Sequence, residues 1–105
     1  MLLSFPFSNL QSTKVRPVIV LSNGRYNRRS EDFIAVPLTS NLKLRDHTIL
    51  ITNSELESGN LIVDSKVKVD RVFSVSRQLV RMKIGRVKPK THQKITNILF
   101  GLLRT

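Results

Sequence analysis

The chain has 105 residues, 40% hydrophobic and 6% aromatic, with no cysteine or tryptophan. That predicts a single domain spanning 1–105 that hides roughly two-thirds of its unfolded surface in one modest core. It excludes disulfides, thiolate chemistry and cysteine-based zinc sites, and no run reaches the roughly 18 apolar residues of a membrane span. Eighteen Lys and Arg against seven Asp and Glu leave a net charge of +11 and a pI near 11.2. The basic residues are spread along the chain, so a folded surface carries them. A domain pI above about 9 points to a nucleic-acid partner, with a solvated basic surface as the plainer alternative.

Short strands and one terminal helix account for most of the pattern. The apolar opening MLLSFPF is broken by Pro6 and too short for a signal peptide, so with the lack of cysteine a cytoplasmic protein is expected. Leu2–Phe5 reads as a first strand and Asn9–Lys14 as a polar loop. Val15–Leu21 is a nearly continuous apolar run, as in a central strand. Asn23–Glu31 is a basic, turn-rich loop opened by Asn-Gly. Phe33–Thr39 and Thr48–Thr52 are further strands, and Asn53–Asn60 is a loop or short helical turn. Lys66–Asp70 alternates, with Val67 and Val69 facing one way and Lys66, Lys68 and Asp70 the other. Lys83–Val87 is the final strand.

The tail changes period. Ile95, Ile98, Leu99, Leu102 and Leu103 form one helical stripe, with Thr91 as candidate N-cap just after Pro89. Phe100 falls off the stripe, either as an isolated surface aromatic or against a second subunit. The architecture expected is mainly β with a C-terminal α-helix, a small antiparallel barrel. No helices alternate with the strands, which argues against a parallel α/β sheet.

GxxxxGK[ST], GxGxxG and HExxH motifs are all missing. His47 and His92 lie far apart and the carboxylates show no metal-ligand spacing. Any catalysis is therefore expected to be metal-free, or the protein only binds. Arg16 precedes Pro17, which pushes it into extended geometry at a strand entrance. Thr39 and Ser40 follow Pro37 at the exit of the next strand. If the two strands form a hairpin around a loop near Asn27, Arg16 falls beside Leu38 or Thr39. A guanidinium and a hydroxyl then share one rim of the sheet, below a basic loop. On this reading alone they can equally be ordinary strand-end residues. His47 is an outside candidate for acid or base, and more simply a surface loop residue.

The segment FPFSNLQSTKVRPVIVLSNGRYN resembles the first half of MazF/PemK toxins: an aromatic-proline segment, a polar loop, an Arg-Pro strand and a Tyr-Asn pair. FIAVPLTSN is similar to that family's next strand, with its Pro-x-Thr-Ser turn. GNLIVDSKVKVDRVFSVSRQLV resembles its later segment, and KIGRV with the amphipathic tail completes a match over nearly the whole chain. Family members usually begin with a few more residues, including a Gly-Asp pair, and this chain starts inside the first strand. The resemblance implies an SH3-like barrel of the CcdB/PemK kind, a homodimer, an antitoxin partner and cleavage of single-stranded RNA without a cofactor. It assigns the catalytic pair to Arg16 and Thr39 and an acid-base pair to Lys68 and Asp70. Ser40 and Ser65 match recurrent family serines.

The implied chemistry lets an RNA 2′-OH attack its own 3′-phosphate, leaving a cyclic phosphate and a 5′-OH. Such an enzyme aligns the attack and neutralises charge on the phosphoryl oxygens. Arg16 offers a permanently charged fork and Thr39 one more donor. Asp70 is a better proton acceptor than an arginine. Lys66, Lys68, Arg25, Arg28 and Arg29 are expected to track the backbone, and Tyr26 to stack on a base. Two other readings compete: a non-catalytic nucleic-acid-binding barrel, and a CcdB-like gyrase poison. The latter is disfavoured because the chain has no tryptophan and ends GLLRT. The antitoxin should present an acidic, flexible segment.

Overall fold

A computed structural model describes residues 1–8, 13–43 and 46–104. Eight strands form one antiparallel sheet: β1 (Leu2–Ser8), β2 (Thr13–Val20), β3 (Asp32–Thr39), β4 (Thr48–Ile51), β5 (Leu56–Gly59), β6 (Ser65–Lys68), β7 (Phe73–Ser76) and β8 (Met82–Val87). A short helix α1 (Gly24–Arg29) joins β2 to β3, and α2 (Pro89–Leu103) ends the chain. The strand order is β4-β6-β3-β2-β1-β8-β5, with β7 paired to β3. The sheet curls into a half-barrel with β4 and β5 at its two ends. Among the described residues no helix is long and apolar enough to cross a membrane.

The alternation of β1, β2 and β3 feeds two cores. On one face Leu2, Ile19, Val36 and Leu38 meet Ile49, Ile51, Val67, Val69 and Ile95 of α2. On the other, Leu3, Val18, Val20, Phe33 and Ala35 pack with Val75 of β7. The second core explains why the strands are apolar at successive positions, as a sheet buried on both faces requires. β5 and β8 approach each other at the paired glycines Gly59 and Gly85. A Cβ on Gly85 would collide with the Ser58 carbonyl oxygen, and Gly59 holds φ 82°, a backbone region that glycine enters without penalty.

Several sequence expectations change. Part of the Asn9–Lys14 segment lies outside the described residues, while Thr13 and Lys14 already belong to β2. The Asn23–Glu31 segment is a helix over six of its positions, because the Asn23 side chain accepts the Tyr26 N–H at 2.9 Å as an N-cap. Asn53–Asn60 splits into a 3₁₀ turn, Asn53–Glu55, and strand β5. Strand β7 was not foreseen; only Val75 of its four residues is fully buried, so its pattern is weak. The N-cap of α2 is Lys88 rather than Thr91. Pro89 occupies the first turn, where its missing N–H costs nothing, and Thr91 is buried inside the helix. The helical stripe is covered only in part: Ile95 is fully buried, whereas Leu103 is 70% exposed and Phe100 55%. His92 Nε2–H donates to the Leu21 carbonyl at 3.1 Å, tying α2 to the end of β2.

Candidate active site

The site lies where β3 changes partners. The β2–β3 ladder pairs Val20 with Ala35, Ile19 with Val36 and Val18 with Pro37, and there it stops. Pro17 and Pro37 have no N–H to extend it. Beyond that point β3 pairs with β6 instead, Leu38 with Val67 and Thr39 with Lys66. The two strands part, and a cleft opens between them. Continuing the β2–β3 register by two positions sets Arg16 opposite Thr39.

Arg16, Pro37, Leu38, Thr39, Ser40 and Asn41 line a cleft of about 630 Å³, closed on its other side by Lys68, Arg71 and Phe73. Among the described residues two arginines and one lysine line it, and no Asp or Glu does. Across β1, Arg16 faces Phe5. The Phe5 and Phe73 rings meet edge to face, with centroids 6.1 Å apart. This apolar wall lowers the local dielectric, which strengthens the field of the cations beside it.

Arg16 is half-buried, and among the described residues no hydrogen bond or ion pair engages its guanidinium. A partly buried, unpaired guanidinium is arranged for an anion that arrives from outside. Thr39 is equally specific in its geometry. Its Oγ1 accepts the Asn41 N–H at 3.2 Å, and Asn41 Oδ1 in turn accepts the Lys43 N–H at 3.1 Å. These two local turns order the segment after β3 and occupy a lone pair of the threonine hydroxyl. Its O–H remains available to donate into the cleft.

A second, apolar cleft of about 1000 Å³ adjoins the first and shares Arg16, Leu38 and Ser40 with it. Its other walls include Pro17, Leu61, Ile62, Val63, Met82 and Ile84. Ile62 is 99% exposed on its rim. Ser65 is buried there, donating to the Val63 carbonyl at 3.2 Å.

Arg16, Thr39, Ser40 and Lys68 are thus brought together. Lys66 pairs with Thr39 across the sheet and is half-buried, but lines neither cleft. Asp70 is exposed in the turn after β6 and also lines neither cleft. Arg25, Tyr26, Arg28 and Arg29 sit on α1, exposed. The expectation that this basic segment overhangs the Arg16–Thr39 rim is corrected by topology. A hairpin that turns at α1 puts Arg16 and Thr39 at its opposite end, about 13 Å along β2 from Val20 at the rise of a strand. His47 occupies a tight turn at φ 62°, a conformation in which histidine is enriched. Its carbonyl accepts the Val69 N–H, and it lines neither cleft. Among the described residues no three His, Asp or Glu side chains cluster where they could hold a metal ion. Arg71 and Phe73 are cleft residues that sequence reasoning passed over. Arg71 is one of 18 basic residues, and nothing in the local pattern sets it apart from the others.

A profile of PemK-like, MazF-like toxins of type II toxin–antitoxin systems matches residues 2–102. The chain belongs to this PemK/MazF toxin family. No curated protein matches it. Its fold is that of several solved structures. One is a MazE–MazF complex from Deinococcus radiodurans, 21% identical with a TM-score of 0.79, covering 97% of this chain and 91% of that one. Another is an endoribonuclease in complex with its cognate antitoxin from a mycobacterial species, 22% identical with a TM-score of 0.71, over 96% and 90%. A third is the Mycobacterium tuberculosis toxin MazF-mt6, 13% identical with a TM-score of 0.74, over 96% and 95%. The half-barrel with its C-terminal helix is therefore the architecture of this toxin family.

Proposed function

We propose that this toxin is an endoribonuclease that cuts single-stranded RNA by 2′-OH attack on the adjacent phosphate. The observation that carries the reading is that Arg16, unpaired among the described residues, shares with Thr39 a cleft that Lys68 and Arg71 also line and that no described carboxylate does. In the step proposed, the 2′-oxygen forms a bond to phosphorus and loses its proton to a base. The bond from phosphorus to the 5′-oxygen breaks, and that oxygen gains a proton. The products are a 2′,3′-cyclic phosphate and a 5′-OH, with the nucleophile supplied by the substrate.

Arg16 binds two phosphoryl oxygens as a fork, and Thr39 donates to one of them. Both interactions strengthen as charge builds in the transition state. Lys68 adds charge from the facing wall, and Ser40 contacts the strand where the two clefts join. Asp70, exposed in the turn next to the cleft residue Arg71, is the proposed proton acceptor, and Asp70→Asn should lower kcat in the cleavage assay. Lys66 and the α1 cations, with Tyr26, serve longer RNA outside the cleft.

The antitoxins in the MazE–MazF complex and the mycobacterial complex support a cognate antitoxin here, with an acidic, flexible segment that complements the +11 charge. The exposed Phe100 and Leu103 on α2 support a homodimer, and the cytoplasm is the proposed site of action.

The test is to incubate the pure protein with defined RNA in EDTA and map both ends of the products. Cutting by wild type but not by Arg16→Ala, with cyclic-phosphate and 5′-OH ends, is expected. Binding without cutting favours a non-catalytic module, and cutting that requires added metal overturns the mechanism.

A further inference from the structure

Arg71 is left over by the mechanism above, although it lines the same cleft as Arg16 and Thr39. Its backbone is held firmly. Val69, the preceding core residue, is fully buried, and its N–H donates to the His47 carbonyl at 3.0 Å. The Arg71 N–H then closes a turn on the Lys68 carbonyl at 3.1 Å. The side chain starts from a fixed point and is exposed. Among the described residues no hydrogen bond or ion pair holds its guanidinium, and the cleft offers it no carboxylate. Phe73, two residues on, lines the same wall and is braced by Phe5.

Two guanidinium groups therefore stand on different walls of one cleft, Arg16 on β2 and Arg71 after β6. With Arg16 and Lys68 already serving the scissile phosphate, Arg71 is the cation left for a second, adjacent phosphodiester. We infer that Arg71 binds the phosphate next to the scissile one, so that the cleft takes a strand with at least two consecutive phosphates. This rests on the reading of the cleft as an RNA site. It makes Arg71 a substrate-binding residue that fixes which bond of the strand reaches Arg16. The assignment follows from chemistry: Arg71 offers a rigid fork of donors that matches phosphate oxygens.

The test uses a short 2′-O-methyl RNA, which cannot be cut, and fluorescence anisotropy over a series of salt concentrations. For single strands each phosphate contact contributes about −0.7 to the slope of log K against log salt. Arg71→Ala should weaken binding severalfold and make the slope shallower by about that amount, while Arg71→Lys should keep the slope. Next, the phosphates flanking the scissile position are replaced one at a time by neutral methylphosphonates. At one position the Arg71→Ala penalty should vanish, because its partner charge is already gone. An unchanged slope for Arg71→Ala, or a penalty that survives every methylphosphonate replacement, overturns the assignment. The cleavage assay with Arg16→Ala is scored separately. RNA cutting that depends on Arg16 with no Arg71 coupling would sink this inference alone, whereas wild type that neither binds nor cuts RNA would sink both.

Discussion

Replacing Thr39 by valine separates chemistry from stability. The substitution keeps the β-branched shape suited to the end of β3 and removes only the hydroxyl. Two things are lost. One is the 3.2 Å bond in which Oγ1 accepts the Asn41 N–H at an exposed position; a hydrogen bond of this kind contributes about 0.5–1.5 kcal/mol. The other is a donor aimed at the phosphoryl oxygen, where oxyanion-type donors contribute about 10²–10³ in rate, or about 2.7–4 kcal/mol. Even a domain with only about 5 kcal/mol of stability retains about 3.5 kcal/mol after the first loss, so well under about 1% unfolds. Unfolding cannot then produce a hundredfold rate loss. The assay is single-turnover cleavage of a fluorescent RNA beside a thermal melt of the same samples. Thr39→Val should lose two to three orders of magnitude in kcat with a Tm lower by only several degrees, and Thr39→Ser should recover most of the rate. A valine variant within threefold of wild-type kcat would refute the donor role. So would a rate loss that tracks cooperative unfolding at the assay temperature.

The remaining predictions concern the scaffold. Gly85→Ala should destabilise by about 1–3 kcal/mol or more, because its Cβ would strike the Ser58 carbonyl; Gly101→Ala, with open space around it, should stabilise by about 0.5–1 kcal/mol. Chemical denaturation of the two variants checks both signs. Ile95→Ala, at a fully buried site, should cost about 2–5 kcal/mol, whereas Leu103→Ala should change stability by under about 0.5 kcal/mol and instead weaken self-association in sedimentation. Glu55 accepts from the Thr52 N–H at 2.8 Å and the Thr52 hydroxyl at 2.7 Å, and the Thr52 hydroxyl is the chief cause that lowers its pKa below the ordinary 4.5. A carboxylate with a depressed folded pKa stabilises above its unfolded value and loses that contribution as pH falls through the folded one. Glu55→Gln should therefore lower Tm at neutral pH, and its deficit against wild type should shrink as pH drops below 4.5.

Much of this was legible in the residues. Continuous apolar runs at 15–21 and 33–39 marked the two central strands, and alternation at 66–70 marked β6, because side-chain period reports burial directly. The Arg16–Thr39 juxtaposition also followed from sequence, since hairpin pairing depends only on where the chain turns. Helix α1 escaped because Asn-Gly signals a turn equally well, and its N-cap bond is visible only in three dimensions. Strand β7 escaped because its partner, β3, is distant in sequence and only one of its four residues is buried.

By itself the sequence determined a basic, cysteine-free, mainly β domain with one amphipathic helix, for these follow from composition and local periodicity. Only the tertiary structure decided which cations share a cleft. Arg71 joins Arg16 while Arg25, Arg28 and Arg29 do not, because β3 trades β2 for β6 where two prolines end the ladder. Charge is a property of residues, but a binding site is a property of which strands lie side by side.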